Sequence, residues 1–211
     1  MLTQAVFSFK IITMTRFLIL AFQSGTYGNF ISQQFLKLAP ELFSVKIWHV
    51  NQTFITQAGN RYYHNMQPWL GNTFYFAWAT CPYPGRLTAE QIAQQVSQDP
   101  DYDLLDKEKY NIVFTHEYSA TGLAVLKTAL PESKILKITY TDNDVNWIAE
   151  RFVDIFKGIN CKTDRPTIIT VDQHQQTLLQ ADRDCNGCIE FPVGQRENTT
   201  YIKQLINTQF R

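Results

Sequence analysis

The stretch from Arg16 to Leu38, RFLILAFQSGTYGNFISQQFLKL, constrains the fold of this chain more than any other. A short apolar run, Phe17 to Phe22, enters a loop that contains Gly25 and Gly28. A helical pattern follows, with Ile31, Phe35 and Leu38 on one face and Ser32, Gln33 and Gln34 on the other. Strand, glycine loop and helix, in that order, form an anion site in many α/β proteins. The loop amides and the helix N-terminus turn their N–H groups toward the anion. Glycine lets the backbone take φ > 0 and come close to the ligand. The alternative is an ordinary strand-to-helix turn.

The rest of the chain repeats the alternation of strand and helix. Strands are predicted over Val45–Val50, Ile112–Thr115, Ile135–Tyr140 and Thr167–Val171. Helices are predicted from Thr88 through about Val96, over Ser119–Leu130 with Pro131 as the stop, over Asn143–Phe156, and over Thr199–Phe210. Thr88 and Gln91 have capping-box spacing, and Leu87 and Ile92 are placed as a hydrophobic staple. The segment Asp99 to Lys109 reads as a polar surface connection. This order predicts an α/β fold, a three-layer sandwich with a mostly parallel central sheet. Gln23–Gly28, His116 and Tyr140–Asp144 all fall just past predicted strand ends, where such sheets bind ligands.

Length and charge narrow the function classes. A chain of 211 residues supports one domain with a proper core, and a single domain over 1–211 is expected. Lys+Arg and Asp+Glu both number 19, which argues against a surface built for nucleic acid or anionic membrane. There is no long apolar run, so no membrane-spanning helix is expected. The apolar run ending at Phe22 is too short for a signal segment, and a cytoplasmic setting is the expectation. Residues 1–13 read either as a start-site extension before Met14 or as an extra edge strand.

The four cysteines are Cys81, Cys161, Cys185 and Cys188. A single C-x-x-C, Cys185 to Cys188, supplies half of a four-ligand zinc site. Free thiols in a turn, a metal and a disulfide or redox pair all remain open, and no metal is assigned.

The loop lacks the Gly-Lys-Ser/Thr ending of an ATPase P-loop, because Asn29 and Phe30 follow Gly28. It resembles instead the loop of the sulfotransferases, roughly Lys-Ser-Gly-Thr-Thr, which is matched by Gln23-Ser24-Gly25-Thr26-Tyr27. Two further segments carry the resemblance. NIVFTHE, from Asn111 to Glu117, is similar to that family's strand ending in Lys-Thr-His. KILKITYTDNDVNWIAERF, from Lys134 to Phe152, is similar to its strand, turn and Asp-Val helix, with Asp144-Val145 in place. The segments occur in the family's order and span roughly residues 16 to 157. Divergent small members of this superfamily are frequent in phage genomes, and the resemblance implies a member of that kind.

The resemblance implies transfer of a sulfuryl group from PAPS (3′-phosphoadenosine 5′-phosphosulfate) to a hydroxyl or amine of a small-molecule or glycan acceptor. Gln23, Ser24, Gly25, Thr26, Tyr27 and Gly28 would hold the phosphosulfate, and His116 would be the general base. A strand-end histidine bonded to backbone is the alternative for His116. The family's loop lysine corresponds to Gln23, and its arginine and serine for the 3′-phosphate correspond to Tyr140 and Ile148. Arg16 falls at the wrong end of the sheet. Arg151 reads as a solvated residue, Arg196 as a loop arginine whose surroundings match the family poorly, and Asp144 as a helix-start acid. The aromatic stretch Tyr62 to Trp78, which includes His64, reads either as core or partner surface or as the wall of an acceptor pocket. Two rivals accompany the transferase: a binding or structural protein that keeps the fold without the chemistry, and a small-molecule kinase.

Overall fold

The structure, a computed structural model, describes residues 15–23, 25–44, 48–55, 61–68, 88–98, 105–115, 118–157, 170–184 and 186–211. The strands are β1 (Arg16–Ala21), β2 (Phe43–Ser44), β3 (Trp48–Ile55), β4 (Arg61–Pro68), β5 (Tyr110–Thr115), β6 (Lys134–Thr139) and β7 (Ile189–Pro192). The helices are α1 (Gly28–Leu38), α2 (Ala89–Gln98), α3 (Ala120–Ala129), α4 (Asp142–Lys157), α5 (Val171–Gln180) and α6 (Thr199–Gln209). Five strands form a sheet in the order β2-β5-β1-β6-β7, with every neighbour parallel.

Strand β1 is central because it is apolar on both faces. Phe17, Leu18, Ile19, Leu20 and Ala21 are all fully buried, as expected of a strand covered on two sides. Leu18 and Leu20 pack with Ile31 and Phe35 of α1, with Val145, Ile148 and Ala149 of α4, and with Ile202 and Ile206 of α6. Phe17, Ile19 and Ala21 pack with Ile92 and Val96 of α2 and with Leu123 and Leu126 of α3. Helices therefore cover both faces, which makes three layers. Phe35 anchors the first face, with ring centroids 5.3 Å from Phe43 and 5.9 Å from Phe210. Removing a buried ring of this kind costs about 3–5 kcal/mol.

The topology defines a ligand-side edge. From β1 the chain runs through α1 to the edge strand β2. From β5 it runs through α3 to β6 on the far side of β1. These connections leave adjacent strands in opposite directions and cover opposite faces. The crevice beyond the carboxyl ends of β1 and β5 is thus a topological switch point. No helix among the described residues is long and apolar enough to cross a membrane.

Several expectations need correction. Phe43–Ser44 is the parallel edge strand. Trp48–Val50, expected to end a strand beginning at Val45, instead open β3, which pairs antiparallel with β4 in a separate hairpin. Residues 45–47 lie outside the described set. Val171 begins α5 rather than ending a strand, because Thr170 and Gln173 form a full capping box before it. Residues 167–169 are not among those described. Strand β7 has no counterpart in the sequence reading. Ser32, placed on the polar face of α1, is fully buried. The capping box of α2 is present, with Thr88 N–H donating to Gln91 Oε1 at 2.8 Å and Gln91 N–H to Thr88 Oγ1 at 3.3 Å. Its staple partner Leu87 lies outside the described residues, as do residues 1–14, most of the aromatic stretch (69–78) and residues 99–104 of the polar connection.

Candidate functional site

Strands β1, β5 and β6 end side by side at the carboxyl edge of the sheet. Ala21 is level with Thr115 of β5 and with Lys137 of β6. The carboxyl ends of β1, β5 and β6, from which the chain continues to 22–27, to the residues after Thr115 and to 140–141, are thus neighbours in the sheet. His116 and Glu117, next after Thr115, and Ser24 lie outside the described residues.

The β1–α1 loop is tightly built. Thr26 is fully buried, and its hydroxyl and amide both donate to the Gln23 carbonyl, at 2.6 Å and 3.1 Å. Thr26 therefore pins the turn from inside. Gly25 has φ +94°, and a Cβ there would stand 2.8 Å from the Ile148 carbonyl oxygen. A Cβ on Gly28 would meet the Phe22 ring at 2.6 Å. Both glycines are thus required by packing inside the protein. Tyr27 precedes α1 in the left-handed region, at φ 65° and ψ 25°, and its own side chain makes no capping hydrogen bond.

Among the described residues, α1 differs in this from the other helices. The remaining N-termini receive a side chain: Thr88 on α2, Ser119 and Asp182 on α3, Asp144 on the Thr141 amide just before α4, Thr170 on α5 and Asn198 on α6. The first turn of α1 also carries no acid. Its positive pole is uncompensated from within the helix.

Two arginines stack on the ring of Tyr27, the residue before α1. The Arg151 guanidinium carbon lies 3.4 Å from the Tyr27 ring centroid. That of Arg196, from the turn after a 3-10 helix at Val193–Gln195, lies 4.7 Å from Tyr27 and 5.3 Å from Trp147. Sequence reasoning set both aside. The signal for Arg151 was its place on α4 one turn beyond Trp147, on the side of that helix facing the loop. No local pattern marked Arg196. Asp144 sits beside them, accepting bonds from the Thr141 amide and hydroxyl, both at 2.8 Å, and from the Trp147 indole at 3.1 Å. Burial alone would raise its pKa. The Thr141 and Trp147 bonds and the Arg196 charge outweigh this and hold it below the ordinary aspartate value.

The positions that the resemblance assigned to the 3′-phosphate belong to the core. Ile148 is fully buried against Gly25. Tyr140 is buried, and its hydroxyl donates to the Leu178 carbonyl at 3.0 Å. Its pKa is raised by burial, with Arg183 opposing. Arg16 lies at the amino end of β1, over the Tyr110 ring at 5.1 Å, as expected.

A buried lysine also lies at this edge. Lys137 is fully buried, donates to the carbonyls of Asp182 and Asp184, and stands 4.2 Å over the Tyr118 ring. Its ammonium is used by the fold, to hold the turn before β7. Cys188, in that turn, is a free thiol whose pKa burial pushes up. Cys185 lies outside the described residues. Among the described residues no group of His, Cys, Asp and Glu side chains is arranged to hold a metal.

No protein-family model matches the chain, and no curated protein matches it. Among solved structures it is similar to an unliganded sugar kinase from Janibacter sp. HTCC2649. That match has a TM-score of 0.44 at 14% sequence identity, over 92% of this chain and 93% of the other. A likeness at this level carries no argument about what the chain binds.

Proposed function

We propose that the chain binds a nucleotide through phosphate or sulfate groups held at Gln23–Gly28, and that it transfers a sulfuryl group from PAPS to a hydroxyl or amine acceptor. The observation that carries this reading is the tight loop at the carboxyl end of the central strand. It enters a helix that the Tyr27 side chain does not cap and whose first turn carries no acid. The sulfuryl part rests on the motif resemblance of 16–157.

For the phosphosulfate half of PAPS, the reading draws on the amides at the start of α1, with Arg151 and Arg196 stacked on the preceding Tyr27. The 3′-phosphate half does not fit at Tyr140 and Ile148, which are buried and, for Tyr140, already bonded. PAPS would supply the activated sulfuryl group. The chain's part is to hold the phosphates at the loop and, through His116, to take the acceptor's proton as the acceptor attacks. Release of adenosine 3′,5′-bisphosphate in the presence of an acceptor panel tests the reading. His116→Ala abolishes release with the fold intact. Undiminished release in that variant removes His116 from the role.

A second reading, a binding protein without catalysis, is favoured by one fact. Gly25 and Gly28 are both accounted for by internal contacts with Ile148 and Phe22. It predicts no saturable binding of PAPS at millimolar concentration.

A further inference from the structure

We propose that the chain takes nucleoside 5′-phosphates and 5′-phosphosulfates as a class and does not read a 3′-phosphate, because helix α5 closes the place where that phosphate would be held. This inference rests on the loop reading above and names its ligand class, of which PAPS is one member.

In the sulfotransferases that the motifs resemble, an arginine and a serine hold the 3′-phosphate. The corresponding positions here are Tyr140, next after β6, and Ile148, on α4. Both are buried, and Leu178 of α5 is fully buried in the same core. Helix α5 is stitched along α4 on either side of Ile148. Arg183, just beyond α5, pairs with Asp142 at the start of α4 at 2.6 Å. Gln175 Nε2 donates to Asn146 Oδ1 at 2.7 Å. The His174 ring stacks on Phe152, with centroids 4.0 Å apart. The span from Asp142 to Phe152 contains Ile148, so the face that would meet the 3′-phosphate is already packed against protein.

The chemistry of the groups points the same way. A phosphate taken out of water needs donors and cations to replace its hydration. Ile148 offers neither. The Tyr140 hydroxyl has one proton to donate, and it gives that proton to the Leu178 carbonyl at 3.0 Å. The guanidinium over the Tyr140 ring, that of Arg183, stands 4.8 Å from the ring centroid and is answered by the Asp142 carboxylate. A 3′-phosphate could be held at these positions only by lifting α5 from α4, with the loss of all these contacts. Left in solvent, it adds little to binding. Recognition is then confined to the 5′ end of the nucleotide.

The test is calorimetric titration of the unsubstituted chain with adenosine 5′-monophosphate beside adenosine 3′,5′-bisphosphate, at about 0.15 M salt to screen the added charge. The two ligands are expected to bind with affinities within about threefold of each other. Tighter binding of the monophosphate by any larger factor also supports the inference, since it shows the 3′-phosphate excluded. Tighter binding of the bisphosphate by more than about threefold overturns the inference and leaves the loop reading standing. Tyr140→Phe, checked by thermal melting without ligand, leaves both affinities unchanged. A loss in that variant confined to the bisphosphate would put the hydroxyl on the 3′-phosphate and overturn the inference by a second route. No binding of either ligand overturns the loop reading itself, and the inference with it.

Discussion

The Ile148 carbonyl oxygen stands where a side chain on Gly25 would go, 2.8 Å from the position of a Cβ, with Phe152 Cβ 3.3 Å from the same point. Helix α4 is thus seated directly on the β1–α1 loop. The close approach requires glycine twice over, because φ at this position is +94°. Gly25→Ala is expected to lower the free energy of unfolding by about 1–3 kcal/mol, measured by urea denaturation. A loss below half of that lower bound contradicts the packing described. It also follows that lost ligand binding in a Gly25 variant does not isolate a ligand contact.

Tyr140 separates core from binding. Tyr140→Phe removes the bond to the Leu178 carbonyl and keeps the ring against Tyr118. Stability is expected to fall by about 0.5–1.5 kcal/mol, with nucleotide affinity unchanged. Affinity that falls while stability holds would place the hydroxyl in the site instead.

Lys137 ties β6 to the turn before β7. Lys137→Met keeps most of the volume and leaves the Asp182 and Asp184 carbonyls without their donor. The expected loss is about 1–3 kcal/mol, seen as a lower urea midpoint. A midpoint at or above that of the unsubstituted chain would mean that relief from burying the charge outweighs the two hydrogen bonds.

Asp144 gives the fold an acid sensitivity of known sign. Its pKa is lower folded than unfolded, so its contribution is present above the unfolded value and is lost as pH falls through the folded one. Asp144→Ala is expected to cost about 0.5–2 kcal/mol at neutral pH. The gap between variant and parent narrows as urea titrations are repeated at lower pH. A gap that stays constant into the acid range would show that packing, and not the carboxylate, carries the effect.

The sheet was legible where a pattern is local. The apolar run at Phe17, the periodic face Val145, Ile148, Ala149, Phe152 and Val153, and the Thr88/Gln91 box each contain their own instruction, and each forms as expected. Helix α5 was missed although Thr170 and Gln173 have capping-box spacing. The β-branched run before Val171 reads as a strand, and that reading hid the cap. Trp48–Val50 went astray because alternation marks a strand without saying which sheet it joins. At the site, the loop and the edge on which it lies were legible. The arginines were not. Arg151 and Arg196 are 45 residues apart by numbering and meet at Tyr27 only through the order of β6 and β7 in the sheet, a tertiary fact with no local signature. Ile148 and Tyr140 read as missing ligands, whereas burial makes them core.

The most direct measurement is calorimetric titration of the unsubstituted chain with adenosine 3′,5′-bisphosphate, beside ATP with Mg²⁺. The account predicts saturable micromolar binding of the bisphosphate that weakens as salt is added. No heat of binding with either nucleotide at millimolar concentration would contradict it and leave the loop at Gly25 as a packing device alone.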